Sequence, residues 1–597
     1  MSRYVFDIET NPLDFKTGDI LSQVHTCHCL VIYNLDSKKL WSYYDTDETR
    51  RMGTAPISAG LRLLQDADEL IGHNIIQFDL PVLRKLFDFR TTGSITDTLV
   101  TSRLFYPDRP GGHSLREWGE RLGAAKGEPG SFEEFSPSLL EYCEQDVKTN
   151  VELYHHLLRE RKEHKRWGPS LEMEHSFAEI IAQQERTGFK FNSLTARMFT
   201  LFWDYRMKEI SDVVLSNVPD RPVPGLKSGI PYKINGDLSK PALRAVAEHD
   251  IDPSTIGGRF QGVHWVKPDL DSHVQLKEVL LKLGWKPIFY TEASASPQIE
   301  DRSLYAMGPI GVMVSERNRL KTWRDRVKGF LGIADADERV HGGGNPCGTP
   351  TGRMRHSRIA NIPRITSPFG RELRSLFRAT PGNVLVGYDA AALELRILAH
   401  YIGSEEYAQA VCTEDKSQDA HVLAAEATGS NDRDLGKTIN YALIYGAGDR
   451  RLGDIIGGTT QDGSDLRRRL YKKIPGLQSL VNHVKTASNR GYLIGLDGRR
   501  LYLRPRIAAL NTLIQGGGAI FMKTAAVRLD QQVKQKNLKA QKVLDMHDEA
   551  QWDCVPEEVE TIEQLIHESF EWASQELKLR CPQKAEIKTG STWRDTH

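Results

Sequence analysis

The 597-residue chain has no net charge, with 79 Lys+Arg against 79 Asp+Glu. Overall charge therefore makes no case for a polyanionic partner. No apolar run reaches membrane-spanning length, and the opening residues, MSRYVFDIET, lack the apolar core of a signal peptide. Seven cysteines, an odd number, are scattered with only Cys27 and Cys29 close together. That argues against a disulfide framework or a zinc site and for reduced thiols in a cytosolic setting. Internal repeats and low-complexity tracts are lacking too. With 39% hydrophobic and 26% charged residues, what remains is an ordinary soluble chain long enough for about four domains.

What is present is unevenly placed. Residues 1–150 carry 16 basic and 23 acidic side chains, and residues 151–597 carry 63 and 56. An acidic first part beside a basic remainder suits a carboxylate-rich metal site next to a phosphate-binding surface. Strand signals at 4–8, 29–33 and 70–72 set an α/β pattern to about residue 160. Helices are expected at 171–184, 273–283 and 315–330. The last carries six cations from Arg317 to Lys328, readable as a solvated face or as a phosphate-tracking surface. Residues 219–268, rich in proline and glycine without sustained helical period, read as an insertion or flexible tip. Residues 404–496 read as mainly helical, and 384–388 and 550–554 as the clearest later strands.

Three acidic motifs fall in the first part. Asp7-Ile8-Glu9 ends a strand, so both acids point to one side of a sheet. His73-Asn74 with Phe78-Asp79 follows a second apolar strand, and Tyr142 and Asp146 share a helix face. Asp7, Glu9, Asp79 and Asp146 could supply hard oxygens to two divalent metals, with Tyr142 orienting a water. In this order the motifs resemble DEDD-type 3′→5′ exonuclease domains of the tyrosine-containing subclass.

Residues 433–446, RDLGKTINYALIYG, place Arg433, Lys437, Tyr441 and Tyr445 four apart. On a helix they form one stripe roughly 18 Å long, enough to lie along a nucleotide with cations at one end and rings at the other. The alternative is an amphipathic helix with a solvated basic edge. Asp389 ends the apolar run NVLVGY, and Met546-His547-Asp548-Glu549 lies in a turn before a strand. Two aspartates on neighbouring strands can bridge two metals that activate a hydroxyl and hold a triphosphate.

DAAALELR, R-xxx-K-xxx-Y-xxx-YG and HDE, in that order, resemble motifs A, B and C of family A DNA polymerases. Thr349-xx-Gly352-Arg353 with Asn361-Ile362-Pro363, Asp419-Ala420-His421 and Asn511-xxx-Gln515-Gly516 are similar to further landmarks of that family. The layout looks nearest the replicative polymerases of small tailed bacteriophages, the T-seven type. The resemblance implies an α/β multidomain fold. A ribonuclease H-like exonuclease domain (1–165) would precede a right hand of thumb (166–335), palm (336–402 and 511–597) and fingers (403–510).

By the same resemblance Asp389, Asp548 and the Ala390 carbonyl would ligate two Mg²⁺, with Mn²⁺ as a substitute. Lys437 would meet the α/β-phosphates and act as general acid, and Arg433 and His421 would hold the γ- and β-phosphates. Tyr441 would pack on the incoming sugar and base, Glu394 would exclude a ribose 2′-hydroxyl, and Tyr445 would cap the template–primer stack. Arg353, Asn511, Gln515 and His547 would contact the primer terminus or minor groove. Ile507 stands where cellular relatives have arginine, with Arg506 adjacent; the role of Arg506, and metal binding by Glu549, are left open.

The implied activity is primer-dependent, template-directed DNA synthesis from dNTPs with 3′→5′ proofreading, serving phage genome replication in the host cytoplasm. Expected partners are primer–template DNA and, at residues 219–268, host thioredoxin or another processivity factor. Phage helicase–primase and single-strand-binding protein are further candidates, and no membrane is expected. The rivals are a single-subunit RNA polymerase, opposed by Glu394 and the exonuclease acids, and a nucleic-acid-binding scaffold with an inactive polymerase and only nuclease activity.

Overall fold

In residues 3–10, Tyr4, Phe6 and Ile8 alternate with Val5, Asp7 and Glu9, so a strand built from them presents two different faces. The computed structural model describes residues 2–14, 19–45, 56–124, 130–164, 167–229, 231–249, 251–258, 260–291, 294–504 and 509–597. Here Arg3–Thr10 is β1, flanked by antiparallel β2 (Cys27–Asn34) and β3 (Leu40–Tyr43) on one side. Parallel β4 (Glu69–Gly72) and β5 (Ser94–Asp97) lie on the other, giving the order β3-β2-β1-β4-β5. Tyr4, Phe6 and Ile8 pack with Ile57, Leu61 and Leu64 of α1 (Ile57–Gln65). After β4 the chain enters α2 (Asp79–Phe87), and after β5 it enters α3 (Thr98–Phe105). The opposite face, with Val5, packs on Cys143, Val147 and Val151 of α4 (Pro137–Glu163). That helix starts with Ser136 accepting from the Leu139 amide and proline at its first turn, a favourable start. Next comes α5 (Gly168–Thr187).

The described chain divides into two units, Met1–Ser193 with Ile333–His597, and Leu194–Gly332. The larger unit thus keeps α5, which sequence reasoning assigned to the start of a thumb. The smaller unit contains nearly all of α6 (Ser193–Ser216), then β6 (Arg221–Gly229) and antiparallel β7 (Phe260–Val266), joined through α7 (Lys240–His249). The segment read as lacking helical period therefore holds a ten-residue helix. Its alanines favour helix despite the surrounding prolines and glycines.

A second correction concerns α8 (Pro309–Ile333), longer than expected at both ends. Arg317 is buried and paired with Asp271 at 2.7 Å; Arg324 and Lys328 both pair with Asp204, Arg319 with Asp301, and Lys321 with Asp271. These cations are engaged by acids of their own unit, so a phosphate track along this helix is not supported. A buried guanidinium needs such a partner.

The larger unit continues with β8 (Val384–Ala390) and α9 (Leu393–Ile402), then a helical region that includes α10 (Ala420–Glu426) and α11 (Arg433–Ile444). A hairpin of Tyr492–Ile494 and Arg500–Tyr502 leads to α12 (Ala509–Gln535). Strands β9 (Gln541–Met546) and β10 (Glu549–Cys554), helix α13 (Val559–Glu576) and β11 (Ala585–Gly590) follow. The four strands form an antiparallel sheet ordered β9-β10-β8-β11. Its core face meets α12 and α13, where Phe570 lies edge-on to Tyr388 at 5.6 Å and to Phe521 at 5.2 Å.

One buried ionic cluster ties this unit together. Glu174 of α5 pairs with Arg499 of the hairpin at 2.6 Å and with Lys523 of α12 at 2.7 Å. All three are essentially inaccessible, and Lys523 also donates to the Pro346 and Gly352 carbonyls. Burial alone would raise the Glu174 pKa, but the charges of Lys523 and Arg499 outweigh it and bring it down to about 2. Among the described residues no helix is long and apolar enough to cross a membrane.

Candidate active sites

The first site forms where β1 meets α4. Asp7 and Glu9 lie on one face of β1, and their carboxylates fall within 4.8 Å of each other and of the Cys143 Sγ. Cys143 sits between Tyr142 and Asp146 on α4, with its Sγ 3.6 Å from the Asp7 carbonyl, so this turn of α4 is held against the strand. Burial raises the Cys143 thiol well above its ordinary pKa. Asp146 is buried one turn along, and the Tyr142 ring meets Phe132 edge-on at 6.3 Å.

Asp79 opens α2 and is 3% exposed. Burial, with the charge of Asp97 adding, pushes its carboxyl up to about 7, while a hydrogen bond to Asp7 opposes the rise. Among the described residues its buried Oδ1 has no hydrogen-bond partner. Crowded, desolvated oxygens of this kind fit a divalent cation. Asp97, which sequence reasoning missed, shapes the approach to Asp79. It accepts from the Asn74 and Ile76 amides and also caps α3 through Leu99 and Val100.

The second site lies at the end of the antiparallel sheet. Asp389 is in register with Glu549 of β10 on one side and Glu586 of β11 on the other. The Ala390 amide donates to the Asp548 carbonyl at 2.9 Å, locking the motif A strand to the β9–β10 turn. Two non-glycine residues beside these acids are left-handed, Ala392 at φ 51° and His547 at φ 57°, the strained backbone that functional sites tolerate. Burial, then the charges of Asp548, Glu549 and Glu586, pushes the Asp389 carboxyl up to about 7. A cation there would relieve both penalties, so this donor set also fits a divalent metal.

Glu549 is differently occupied. It pairs with Arg374 at 3.3 Å and His597 at 3.1 Å, and accepts from Trp593 and from Gln551 at 2.9 Å. Burial opposes its ionisation, but these donors hold its pKa below the ordinary value. It is held by four donors, and its carboxylate also lies within 4.8 Å of ligand atoms of Asp389 and His597.

Asp389, Asp548, Glu394, Tyr441, Tyr445, Arg353 and His547 line one cavity of about 560 Å³. Arg353 pairs with Glu394 at 3.0 Å, and the Tyr445 hydroxyl lies 3.4 Å from the same carboxylate. His547 packs edge-on against His356 at 4.6 Å, and burial, then His547, pushes the His356 pKa down to about 4. On α11, Arg433 and Lys437 precede Tyr441 and Tyr445, whose rings stack at 6.4 Å. Arg433 donates through Nε to Asp419 at 2.7 Å, whereas Lys437 is exposed with no acid in reach among the described residues. Asp419, named from the sequence only as part of the Asp419-Ala420-His421 landmark, also caps α10 by accepting from the His421 and Val422 amides. Asn511 and Gln515 lie on the first turns of α12, and Arg506 and Ile507 fall outside the described residues.

The DNA polymerase family A model matches residues 260–595, more than half of the chain. The chain belongs to DNA polymerase family A. The DNA-directed DNA polymerases of Enterobacteria phage T3 and Escherichia phage T7 are each 27% identical to it, over 98% of this chain and 99% of theirs. DNA polymerase I of Lactococcus lactis is 28% identical over 50% of this chain and 36% of that protein. The fold is shared with the polymerase domain of Pol1 from M. smegmatis, solved with DNA primer–template and dNTP. That likeness has a TM-score of 0.77 at 18% identity, covering 99% of this chain and 96% of that one. Full-length similarity to the phage polymerases makes the expected T7-like, multidomain right-hand architecture that of this family A member.

Proposed function

We propose that the chain extends a DNA primer on a template from dNTPs and removes mispaired 3′ ends, as the phage relatives' names indicate for synthesis. The observation that carries the synthetic reading is the shared cavity. Asp389 and Asp548 stand on the sheet end, with Glu394 and the aromatic end of the α11 stripe opening onto the same space. Asp389, Asp548 and the Ala390 carbonyl would hold the divalent metals, magnesium or manganese. Bound there, the metals supply a lowered pKa for the primer hydroxyl and charge neutralisation for the leaving pyrophosphate.

The chain's own groups do the positioning. Arg433, forked and braced by Asp419, and His421 hold the outer phosphates. Lys437 meets the inner phosphates and delivers a proton to pyrophosphate. Tyr441 supports the incoming base and sugar, Glu394 closes the space beside the sugar's 2′ carbon, and Tyr445 caps the stack. Arg353, Asn511, Gln515 and His547 touch the primer end or minor groove, where correct pairs present like acceptors.

Asp7, Glu9, Asp79 and Asp146, with Tyr142 over the water, form the hydrolytic site that we assign to proofreading. In this reading residues 1–165 are the exonuclease domain, 166–335 the thumb, 336–402 with 511–597 the palm, and 403–510 the fingers. A processivity factor such as host thioredoxin is proposed at residues 219–268, where Ile234 and Trp265 are exposed and offer apolar contact. Helicase–primase, single-strand-binding protein and work in the infected host's cytoplasm complete the proposal.

Primer extension with dNTPs against rNTPs tests it. Primed, template-dependent incorporation of dNTPs with strong exclusion of rNTPs is expected. Unprimed synthesis from rNTPs would instead support the RNA polymerase reading.

A further inference from the structure

Helices α10 and α11 cross at contact distance because of Gly436. A Cβ built there would lie 1.9 Å from the His421 carbonyl oxygen, so only glycine permits this approach. One turn further along the same side stands Asn440, 1% exposed. Its Nδ2 donates to the Ala420 carbonyl at 2.9 Å and lies 3.2 Å from the Nδ1 of His421.

These two contacts settle the polarity of the pair. Turning the amide round would put Oδ1 against a carbonyl oxygen at the same short distance, two acceptors facing each other. Nδ2 therefore stays where it is, and its second hydrogen points at the histidine. An Nδ1 that receives a hydrogen bond cannot carry a proton, which leaves the ring proton on Nε2.

We infer that Asn440 is a positioning residue that holds His421 as the neutral, Nε2-protonated imidazole and so makes it a hydrogen-bond donor to the phosphates of the incoming nucleotide. The inference rests on the proposed reading of α11 as the phosphate-binding helix. It adds that the grip of His421 is directional rather than ionic. The surroundings agree. Burial opposes a charge on the ring, Arg433 and Lys437 of α11 repel one, and Asp419 of its own helix and Asp434 of α11 attract one; the net effect holds its pKa below the ordinary value. The ring's tilt of 34° to Tyr441 at 6.4 Å places it alongside the first aromatic of the stripe. An anionic phosphate arriving between Arg433 and Lys437 would otherwise draw a second proton onto the ring. The Nδ2 hydrogen of Asn440 opposes that, because an Nδ1–H would point straight at it.

The test uses the full chain labelled with ¹⁵N-histidine, with His421 assigned through His421→Gln. Two-bond ¹H–¹⁵N spectra near neutral pH should show His421 with an unprotonated Nδ1 and a protonated Nε2. The reverse pattern would overturn the inference. Asn440→Asp keeps the shape and puts an acceptor at the ring, so the spectrum should switch to Nδ1–H; no switch counts against it. In steady-state extension, Asn440→Leu should raise KM for dNTP about tenfold with kcat within about twofold, as for one lost hydrogen bond to a charged group. In a His421→Ala background the same change should raise it no further, because Asn440 acts only through that ring. An equal rise in both backgrounds refutes the inference. If His421→Ala alone leaves KM unchanged, it is the phosphate-binding reading of His421 that fails, and the spectrum still decides the tautomer.

Discussion

The two carboxylate sites share a donor chemistry and differ in how the chain assembles them. In the first, every acid comes from residues 7 to 146, and one contact between β1 and α4 sets Asp7 and Glu9 against the turn of α4 that leads to Asp146. In the second, Asp389 comes from β8 and Asp548 from the β9–β10 turn, far apart in sequence, the buttress of Glu549 reaches to Trp593 and His597, and the cations sit on α11. A site made from one stretch needs only its sheet and helix. A site made from many needs the whole unit to be folded correctly, and its cations and acids stand on separate elements that a substrate can bridge.

That contrast is broken most directly by reciprocal substitutions. Asp389→Ala should abolish extension, by on the order of 10³-fold or more for several kcal/mol of lost metal assistance, and leave removal of a mismatched 3′ end intact. Asp7→Ala with Glu9→Ala should do the opposite. Paired extension and degradation assays read both, and loss of both activities from either change would show that the two sites are not independent.

Breaking the Glu174 cluster should cost less in rate and more in stability. Glu174→Gln leaves Lys523 buried without its charge partner and Arg499 with Asp497 alone, a loss of about 3–5 kcal/mol in urea unfolding. Because the Glu174 pKa is depressed in the folded chain, its contribution is present above the unfolded value near 4.3 and disappears as pH falls toward about 2. A substitution with no effect at pH 7 would contradict the assignment.

The raised carboxyls give the opposite slope. Asp79 and Asp389, both near 7 in the metal-free protein, keep their protons longer when folded. Their contribution is therefore largest below about 4 and is lost as pH rises through 7. Magnesium should raise the melting temperature more at pH 8 than at pH 5, and each of Asp79→Asn and Asp389→Asn should remove part of that difference. The smallest expected effect separates the sites by substrate. Tyr441→Phe should increase discrimination against dideoxynucleotides by about fivefold or more, as for one lost hydroxyl hydrogen bond, without touching exonuclease rates. Equal incorporation ratios for the two proteins would show that the Tyr441 hydroxyl does not stand in for a missing 3′-hydroxyl of the bound nucleotide.

The strands bearing Asp7 and Asp389, and the helix bearing the 433–445 stripe, were legible because each is a strong period ending in costly polar residues. Asp97 and Asn440 were not, and Asp419 was legible only as part of a motif, since their work is capping and pairing across elements that are neighbours only in the fold. The cations of α8 left two readings open for the same reason. Spacing along one helix says nothing of Asp204 and Asp271, which lie elsewhere in sequence and neutralise it. Lys523 reads as one more surface lysine until α5 and the hairpin close over it.

That closure has a geometric consequence. With Glu174, Arg499 and Lys523 clasped in the interior, the sheet bearing Asp7 and the sheet bearing Asp389 belong to one body. The two carboxylate clusters therefore lie within a single compact unit. On the proposed assignment of synthesis to one sheet and proofreading to the other, a primer end would pass between them by its own unpairing, and the stability of the terminal base pairs would act as the clock for editing.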